Sequence, residues 1–299
     1  MKVLVVGSTA LDSIRTPRRA EERLLGGSAS YAAVAASCFA PVRLVGVVGE
    51  DFPRRYLALY RRRRIDLEGL QQAAGRTFHW SGEYEVNLNR RRTLTTELGV
   101  FADFTPTLPA AWRGTPYVLL ANIAPALQHH VLDQMERPRW VVADTMDLWL
   151  NTALPELLRL LRRIDAIVLN DSEACQLSGV DNVILAARRL HRLGPRHVIV
   201  KKGEHGAIAS TPDGCFVCPA YPLASVADPT GAGDSFVGGM MGYLAGKGGA
   251  PGRHLRQAMV YGSVIASFCC EGFGLSAIAR LARPRIEARA TGLRRMARF

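Results

Sequence analysis

The segment of this chain best suited to chemistry reads Asp-Pro-Thr-Gly-Ala-Gly-Asp, from Asp228 to Asp234. Gly231, Ala232 and Gly233 predict a flexible turn whose backbone amides point into a concavity, at the N-terminus of a helix that begins near Asp234. Such a turn binds anions. Asp234 then has two interpretations. It is a helix N-cap, worth about 1 kcal/mol, or a general base for a hydroxyl group, beside amides that stabilise a transferring phosphoryl group.

Four further patterns lie where a strand ends or a helix begins. They are an aspartate after the first strand, a glycine pair before a helix, an Asn-x-x-Glu at a strand end, and a strand followed by two glycines: Asp12, Leu25–Tyr31, Asn170–Glu173 and Val198–Gly206. Taken alone, Asp12 fits a turn and the glycine pair fits an ordinary loop before a helix.

Strand-like and helical runs alternate along most of the chain. The strand-like runs are Lys2–Val6, Val42–Val48, Tyr117–Ala121, Trp140–Ala143, Ala166–Leu169 and His197–Lys201. The helical runs are Ser28–Cys38, Phe52–Arg63, Leu154–Arg163 and Val183–Leu193, and the chain from Asp234 onward is mainly helical. This order predicts an α/β fold, a doubly wound and mostly parallel sheet flanked by helices.

Two segments do not fit the alternation. Thr77–Gly99 reads as two extended strands around a polar, arginine-rich turn, and Ser13–Leu25 is a short polar segment that adds another strand pair or merely connects. We therefore expect one domain over residues 1–299, with a small β-strand lid formed by segments at about 13–25 and 77–104. A lid of this kind could close over a cleft at the carboxyl ends of the strands.

Taken together and in this order, the five patterns resemble the signatures of the ribokinase, or PfkB carbohydrate kinase, family, and the resemblance spans essentially the whole chain. It implies a ribokinase-like fold and an ATP- and Mg²⁺-dependent kinase that phosphorylates an alcohol group. Asp234 would accept the proton of the attacking hydroxyl, and the amides of residues 231–233 would stabilise the γ-phosphoryl group.

The resemblance also implies roles for the remaining residues. On the acceptor side, Asp12, Gly26 and Gly27 would meet sugar hydroxyls. Asn170 and Glu173 would help hold Mg²⁺, through waters, because magnesium dehydrates reluctantly. The residues implied near ATP are Asn170, Lys201, Gly203, Gly206, Gly231 and Gly233. Asp228 and Thr230 would lie near a monovalent-cation site such as some members use for K⁺, or simply shape the turn.

One departure from the family pattern bears on the acceptor. Tyr31 stands where many sugar-specific members carry an asparagine, which weakens ribose or fructose as the substrate. The chain looks like a bacterial branch of nucleoside kinases, which implies the 5′-hydroxyl of a nucleoside such as adenosine. Phe78, Trp80 and Tyr84 alternate at strand spacing and form an apolar face, unless one of them stacks on a base. A sugar or sugar-phosphate kinase is the alternative, since Arg90–Arg92 could bind a substrate phosphate.

The net charge of the chain suggests a third candidate function. The chain carries 38 Lys+Arg against 26 Asp+Glu, a net charge of +12 that would also suit a non-catalytic nucleic-acid binder on a kinase scaffold. Because the arginines are spread along the chain and no nucleic-acid motif accompanies them, we expect no nucleic-acid partner. The N-terminal apolar run is too short for a signal peptide. We expect a cytoplasmic protein without a membrane contact, and a homodimer formed through the lid.

Overall fold

The computed structural model of the protein describes residues 1–88 and 90–298. Its strands are Val3–Val6 (β1), Ala10–Thr16 (β2), Arg19–Gly26 (β3), Val42–Gly49 (β4), Ile65–Asp66 (β5), Leu70–Ala73 (β6), His79–Tyr84 (β7), Arg91–Glu97 (β8), Tyr117–Leu120 (β9), Trp140–Asp144 (β10), Ala166–Asn170 (β11), His197–Lys201 (β12), Ala207–Thr211 (β13) and Gly214–Cys218 (β14).

The helices alternate with these strands as expected. They are Ser28–Ala36 (α1), Arg54–Arg62 (α2), Pro125–Gln134 (α3), Asp147–Thr152 (α4), Leu154–Leu161 (α5), Asp171–Ser178 (α6), Val183–His191 (α7), Ala232–Lys247 (α8), Pro251–Cys269 (α9) and Arg283–Met296 (α10). The predicted strand and helix runs are confirmed to within a few residues. The predicted helical character after Asp234 is confirmed by α8, α9 and α10.

Over the described residues, one large sheet runs in the order β14-β13-β12-β11-β10-β9-β1-β4-β5, with β6 also paired to β4. The pairings from β12 through β5 are parallel, and β13 and β14 add an antiparallel edge. The central strands are buried throughout because helices cover both faces. The predicted doubly wound fold is confirmed.

Two apolar clusters lie on opposite sides of this sheet. One joins α1, α2, α8, α9 and α10 to the sheet, and the other joins α3, α5 and α7 to it. Helices α1 and α8 pack unusually closely, because a Cβ on Gly238 would overlap the backbone of Ala32 and a Cβ on Gly242 would overlap that of Ala36. This contact brings the first turns of the two helices to the same edge of the large sheet.

Four described strands form a separate sheet in the order β3-β2-β7-β8, which we call the small sheet. It consists of two antiparallel hairpins joined by a parallel pairing of β2 with β7. The segment Ser13–Leu25 therefore adds a strand pair and is not a mere connection. Residues 98–104 leave the small sheet, and Phe104 is buried in the second apolar cluster.

Among the described residues, no helix is both long and apolar enough to cross a membrane.

Candidate active site

The glycine turn, residues 228–233, runs into the first two residues of α8. Gly231 is the N-cap of that helix and has a φ of +73°, a left-handed conformation that favours glycine. Asp228 fixes the start of the turn, since its Oδ1 accepts from the Thr230 amide at 2.8 Å and its Oδ2 accepts from the Gly274 amide at 3.0 Å. The amides that follow lie at the positive end of a 16-residue helix. The arrangement is suited to binding an anion.

Asp234 lies in the first turn of α8, half-buried. Burial and the nearby Asp144 carboxylate raise its pKa to about 6, against the opposing effect of Lys201 and Arg91. The N-cap of the helix is Gly231, and the Asp234 carboxylate accepts from its own backbone amide in the first turn. A carboxylate with a pKa this close to neutrality has the acidity that suits a general base.

Lys201 stands opposite this carboxylate at the end of β12. Its Nζ donates to both oxygens of Asp144 at the end of β10. Burial disfavours the ammonium ion, but the carboxylates of Asp144, Glu173 and Asp234 outweigh burial and raise its pKa. A Cβ on Gly233 would lie 3.3 Å from Nζ, so this positive charge lies against the glycine turn.

Asp12 lies in β2 of the small sheet, is 4% exposed, and is close enough to Asp234 for their charges to interact. We call the space between these two carboxylates the cleft. Burial raises its pKa to about 7, with a further increase from Asp234 and Asp228, although the Gly27 amide donates to the carboxylate and lowers it. A Cβ on Gly26 would overlap this carboxylate. Gly27 has a φ of +87° and is the N-cap of α1. The glycine pair therefore allows the carboxylate to lie against the backbone.

Asn170 and Glu173 form a reciprocal capping box at the start of α6. Asn170 Oδ1 accepts from the Glu173 amide, and Glu173 Oε2 accepts from the Asn170 amide, both at 2.8 Å. Burial raises the pKa of Glu173 to about 7, although the nearby Lys201 lowers it. A carboxylate has about four lone-pair sites, so capping leaves oxygen capacity for a metal or its waters. No cluster of three or more His, Cys, Asp or Glu suited to a metal occurs among the described residues.

The turn after β12 carries the other two glycines. Gly203 has a φ of +54° and begins a short 3₁₀ turn. Gly206 has a φ of +87°, and a Cβ there would overlap the backbone of Cys218. The Lys202 amide donates to the Gly206 carbonyl at 2.7 Å, which closes the turn. Both glycines thus occupy backbone conformations that other residues adopt only with strain.

Tyr31 lies beneath the glycine turn. It is 1% exposed, and a Cβ on Gly231 would overlap its ring. Its hydroxyl is buried and has no hydrogen-bond partner within the described part of the chain. Sequence reasoning placed Tyr31 beside the acceptor. The structure places it between Asp12 and the glycine turn: burial raises the pKa of its hydroxyl well above the ordinary value, and the nearby carboxylates of Asp12 and Asp228 raise it further.

The aromatic residues of the second hairpin have different surroundings. Phe78 stacks on Phe101 with ring centroids 5.4 Å apart, and Phe101 stacks in turn on Phe104. Trp80 is half-buried in β7 and is the register partner of Asp12 across the β2–β7 pairing. The Arg91 guanidinium lies 5.1 Å from its ring centroid. Trp80 therefore lies on the same face of the small sheet as Asp12, and Phe78 is part of an aromatic stack.

Three residues at the cleft are not predicted as site residues from the sequence. Asp144 ends a buried strand as Asn170 does, so its position at a strand end was an available signal. In the sequence Tyr84 is only part of an alternating face, whereas in the structure its hydroxyl lies 2.9 Å from Thr230 Oγ1. Arg91 is one of three consecutive arginines in the sequence, and in the structure its charge partly offsets the rise that burial causes in the pKa values of Asp12 and Asp234. Nothing in the sequence distinguishes it from its neighbours.

Known proteins are similar to this chain along most of its length. The family model described as pfkB family carbohydrate kinase matches residues 1–280. The chain is 28% identical over 256 residues to a cytidine kinase of Thermococcus kodakarensis, covering 83% of this chain and 90% of that protein. It is 29% identical over 259 residues to an aminoimidazole riboside kinase of Salmonella typhimurium, covering 80% of each chain.

A solved structure shows the shared fold. A nucleoside kinase of Burkholderia thailandensis in complex with inosine matches with a TM-score of 0.78 and 21% identity, covering 97% of this chain and 96% of that chain.

Proposed function

The chain belongs to the pfkB family of carbohydrate kinases, and from that membership we propose that it transfers the γ-phosphoryl group of ATP to the 5′-hydroxyl of a nucleoside, adenosine or one similar to it. The observation that carries the proposal is the position of Asp234, directly after the glycine turn and facing the Lys201 ammonium group. A base, an anion-binding turn and a fixed positive charge meet there, which are the elements that phosphoryl transfer needs.

In this mechanism Asp234 removes the proton from the attacking hydroxyl as its oxygen bonds to the γ-phosphorus. The bond between the γ-phosphorus and the β–γ bridging oxygen breaks, and ADP leaves. The amides of residues 231–233 and the Lys201 ammonium stabilise the negative charge on the transferring group. The pKa of Asp234, about 6, leaves most of the carboxyl ionised at neutral pH.

The acceptor would bind against the small sheet. Asp12 accepts hydrogen bonds from two sugar hydroxyls, and Gly26 and Gly27 allow the sugar to approach the backbone. Because Trp80 is the register partner of Asp12, a base attached to that sugar would lie beside the indole ring. The named relatives act on nucleosides, as a cytidine kinase and an aminoimidazole riboside kinase, which supports a nucleoside acceptor.

ATP and Mg²⁺ would bind at the carboxyl ends of β11 and β12. Asn170 and Glu173 would hold Mg²⁺ through waters, and Gly203 and Gly206 would line the nucleotide with Lys201. Bound Mg²⁺ neutralises charge on the β- and γ-phosphates. The buried Glu173 carboxylate suits this position, because a nearby cation would offset the cost of its burial.

K⁺ activation through Asp228 and Thr230 stays a prediction. Both Asp228 oxygens already accept backbone amides, so that carboxylate supports the turn. A comparison of turnover in K⁺ and in choline chloride at equal ionic strength tests whether a monovalent cation acts here.

Two further proposals concern the small sheet. We propose that it acts as the lid of the site, because Asp12, Trp80 and Arg91 lie on it beside the cleft. Its edge strand β8 is exposed along its whole length, which favours pairing with a second copy of the chain. The molar mass in solution, measured by light scattering, tests the dimer.

The alternative acceptor is a sugar or sugar phosphate. The Arg91 guanidinium favours it, because this cation faces the cleft and could bind a substrate phosphate. Arg92 is already paired with Glu83 at 2.9 Å. A panel of nucleosides, ribose, fructose and fructose 6-phosphate, assayed by ADP release, separates the two. Turnover of a sugar or sugar phosphate without any nucleoside would overturn the nucleoside proposal.

A further inference from the structure

One side chain of the small sheet reaches the glycine turn. The Tyr84 hydroxyl lies 2.9 Å from Thr230 Oγ1, a contact across 146 positions of the sequence. Tyr84 is 8% exposed, whereas Val86, two residues later, is 88% exposed. The chain is therefore exposed to solvent two residues after a buried tyrosine whose hydroxyl contacts the turn.

Thr230 is held from several sides. Its amide donates to Asp228 Oδ1 at 2.8 Å, and its carbonyl accepts from the Cys269 thiol at 3.5 Å. Both of these partners belong to the same body as the large sheet. The Thr230 hydroxyl bonds the Asp228 carboxylate as well, and its contact with the Tyr84 hydroxyl joins the turn to the small sheet.

The next residue of the turn is held in a similar way. Gly231 lies directly on the Tyr31 ring, where any side chain would overlap it. Tyr31 belongs to α1 and Tyr84 to β7, so two tyrosines from different parts of the molecule hold adjacent residues of the turn. One of the two contacts depends on where the small sheet lies.

We propose that Tyr84 is a positioning residue, whose hydroxyl fixes Thr230 and thereby aligns the amides of residues 231–233 for the transferring phosphoryl group. This rests on the proposed function, in which those amides stabilise the γ-phosphoryl group. Stabilisation of this kind requires donors placed to within about half an ångström, so the loss of one contact on the turn affects the rate.

The pairing of β2 with β7 gives this contact a second consequence. Asp12 in β2 and Tyr84 in β7 belong to the same sheet, and Asp12 is the register partner of Trp80, four residues before Tyr84. A shift of this pair of strands would therefore move the Asp12 carboxylate and the Tyr84 hydroxyl together.

The test uses the full chain with Tyr84→Phe, Thr230→Val and the double variant. The matched control is Tyr56→Phe, because the Tyr56 hydroxyl also bonds to the small sheet, donating to the Arg23 carbonyl at 2.9 Å, but does not contact the turn. Two quantities are measured: kcat and KM for an acceptor of the panel that is turned over, and hydrogen exchange of residues 228–236 without any ligand.

We expect Tyr84→Phe and Thr230→Val each to lower kcat about tenfold, with KM for the acceptor within about twofold. The double variant should lose less than the product of the two single losses, because both changes remove the contact between Tyr84 and Thr230. Each change also removes one bond of its own, from Tyr84 to Arg91 or from Thr230 to Asp228. Exchange of residues 228–236 should be faster by about threefold or more in all three variants and unchanged in Tyr56→Phe.

An unchanged kcat, unchanged exchange, or losses that multiply in the double variant would each overturn the proposal. Exchange needs no substrate, so it separates this proposal from the proposed function. Faster exchange in a protein that phosphorylates no nucleoside would overturn the function and support the contact. Nucleoside turnover that Tyr84→Phe does not slow would support the proposed function and overturn the role of Tyr84.

Discussion

Lys201 Nζ lies 3.0 Å from Oδ1 and 3.2 Å from Oδ2 of Asp144, so a largely buried ammonium group is held by both oxygens of a buried carboxylate. The two residues end β12 and β10, with β11 between them. The pair therefore spans the strand that ends at Asn170, and it holds a positive charge in a fixed place against the glycine turn.

We expect Lys201→Met to lower turnover by about 10²-fold or more, because it removes charge stabilisation at the phosphoryl site. It should also destabilise the fold by about 3–5 kcal/mol, since it leaves the Asp144 carboxylate buried without its partner. Lys202→Met is the matched control, because Lys202 faces Asp171 at 3.6 Å on the surface. Steady-state kinetics and urea unfolding of both variants check this. Equal effects of the two substitutions would contradict it.

Asp234→Asn should lower kcat by about 10²–10⁴-fold, the usual contribution of a general base. The variant should fold, with Tm equal to or above that of the unsubstituted protein, because the change removes a carboxylate whose burial raises its pKa. Asp181→Asn, in the exposed segment before α7, is the control. Measurement of ADP release and thermal unfolding decides the matter, and a near-native rate would show that Asp234 has only a structural role.

Activity and stability should change with pH in opposite directions. The proposed mechanism requires ionised Asp234 and Asp12, whose pKa values are about 6 and about 7, so kcat/KM should rise with pH through this range. The folded state retains a proton on Asp12 up to about pH 7, whereas the unfolded chain releases it near the ordinary value of 3.8. The contribution of this carboxyl to the free energy of unfolding therefore falls as pH rises from about 4 to about 7.

Asp12→Asn isolates that contribution. The variant should raise KM for the acceptor by about 10²-fold, because a sugar hydroxyl loses its carboxylate partner. Its Tm should exceed that of the unsubstituted protein by at least about 2 °C at pH 8, and the difference should shrink at pH 5. Thermal unfolding of both proteins from pH 5 to pH 8 tests this, and a difference that is constant with pH is incompatible with a raised pKa.

Trp80 and Phe78 should respond differently to truncation. Trp80→Leu should raise KM for nucleosides about tenfold while leaving Tm nearly unchanged, since stacking of a base on an aromatic ring is worth about 1–3 kcal/mol. Phe78→Leu should lower Tm instead, because Phe78 stacks on Phe101. Nucleoside kinetics and thermal unfolding of the pair distinguish the two roles. If Phe78→Leu alone raised KM, Phe78 would be the residue beside the base.

Sequence reasoning located most of the cleft because a parallel sheet brings the carboxyl ends of its strands to one edge. Asn170 and Lys201 follow apolar runs that could be read directly, and Asp234 follows a glycine turn. The contact of Tyr84 with Thr230 could not be predicted in this way, because it depends on how a separate sheet lies on the large one. The pair formed by Asp144 and Lys201 connects strands that are not adjacent. It could not be predicted, because the periodicity of the sequence does not show which strand ends lie close together.

The small sheet also sets an order in which the molecule can assemble. Its hairpins, within residues 10–26 and 79–97, are joined through the pairing of β2 with β7, and the chain between them forms α1, β4, α2, β5 and β6. Such distant pairings form slowly, because a long loop must close before they gain any contact energy. During refolding we therefore expect the proposed phosphoryl transfer to recover only once the two hairpins have joined, since this pairing brings the Asp12 carboxylate to the site.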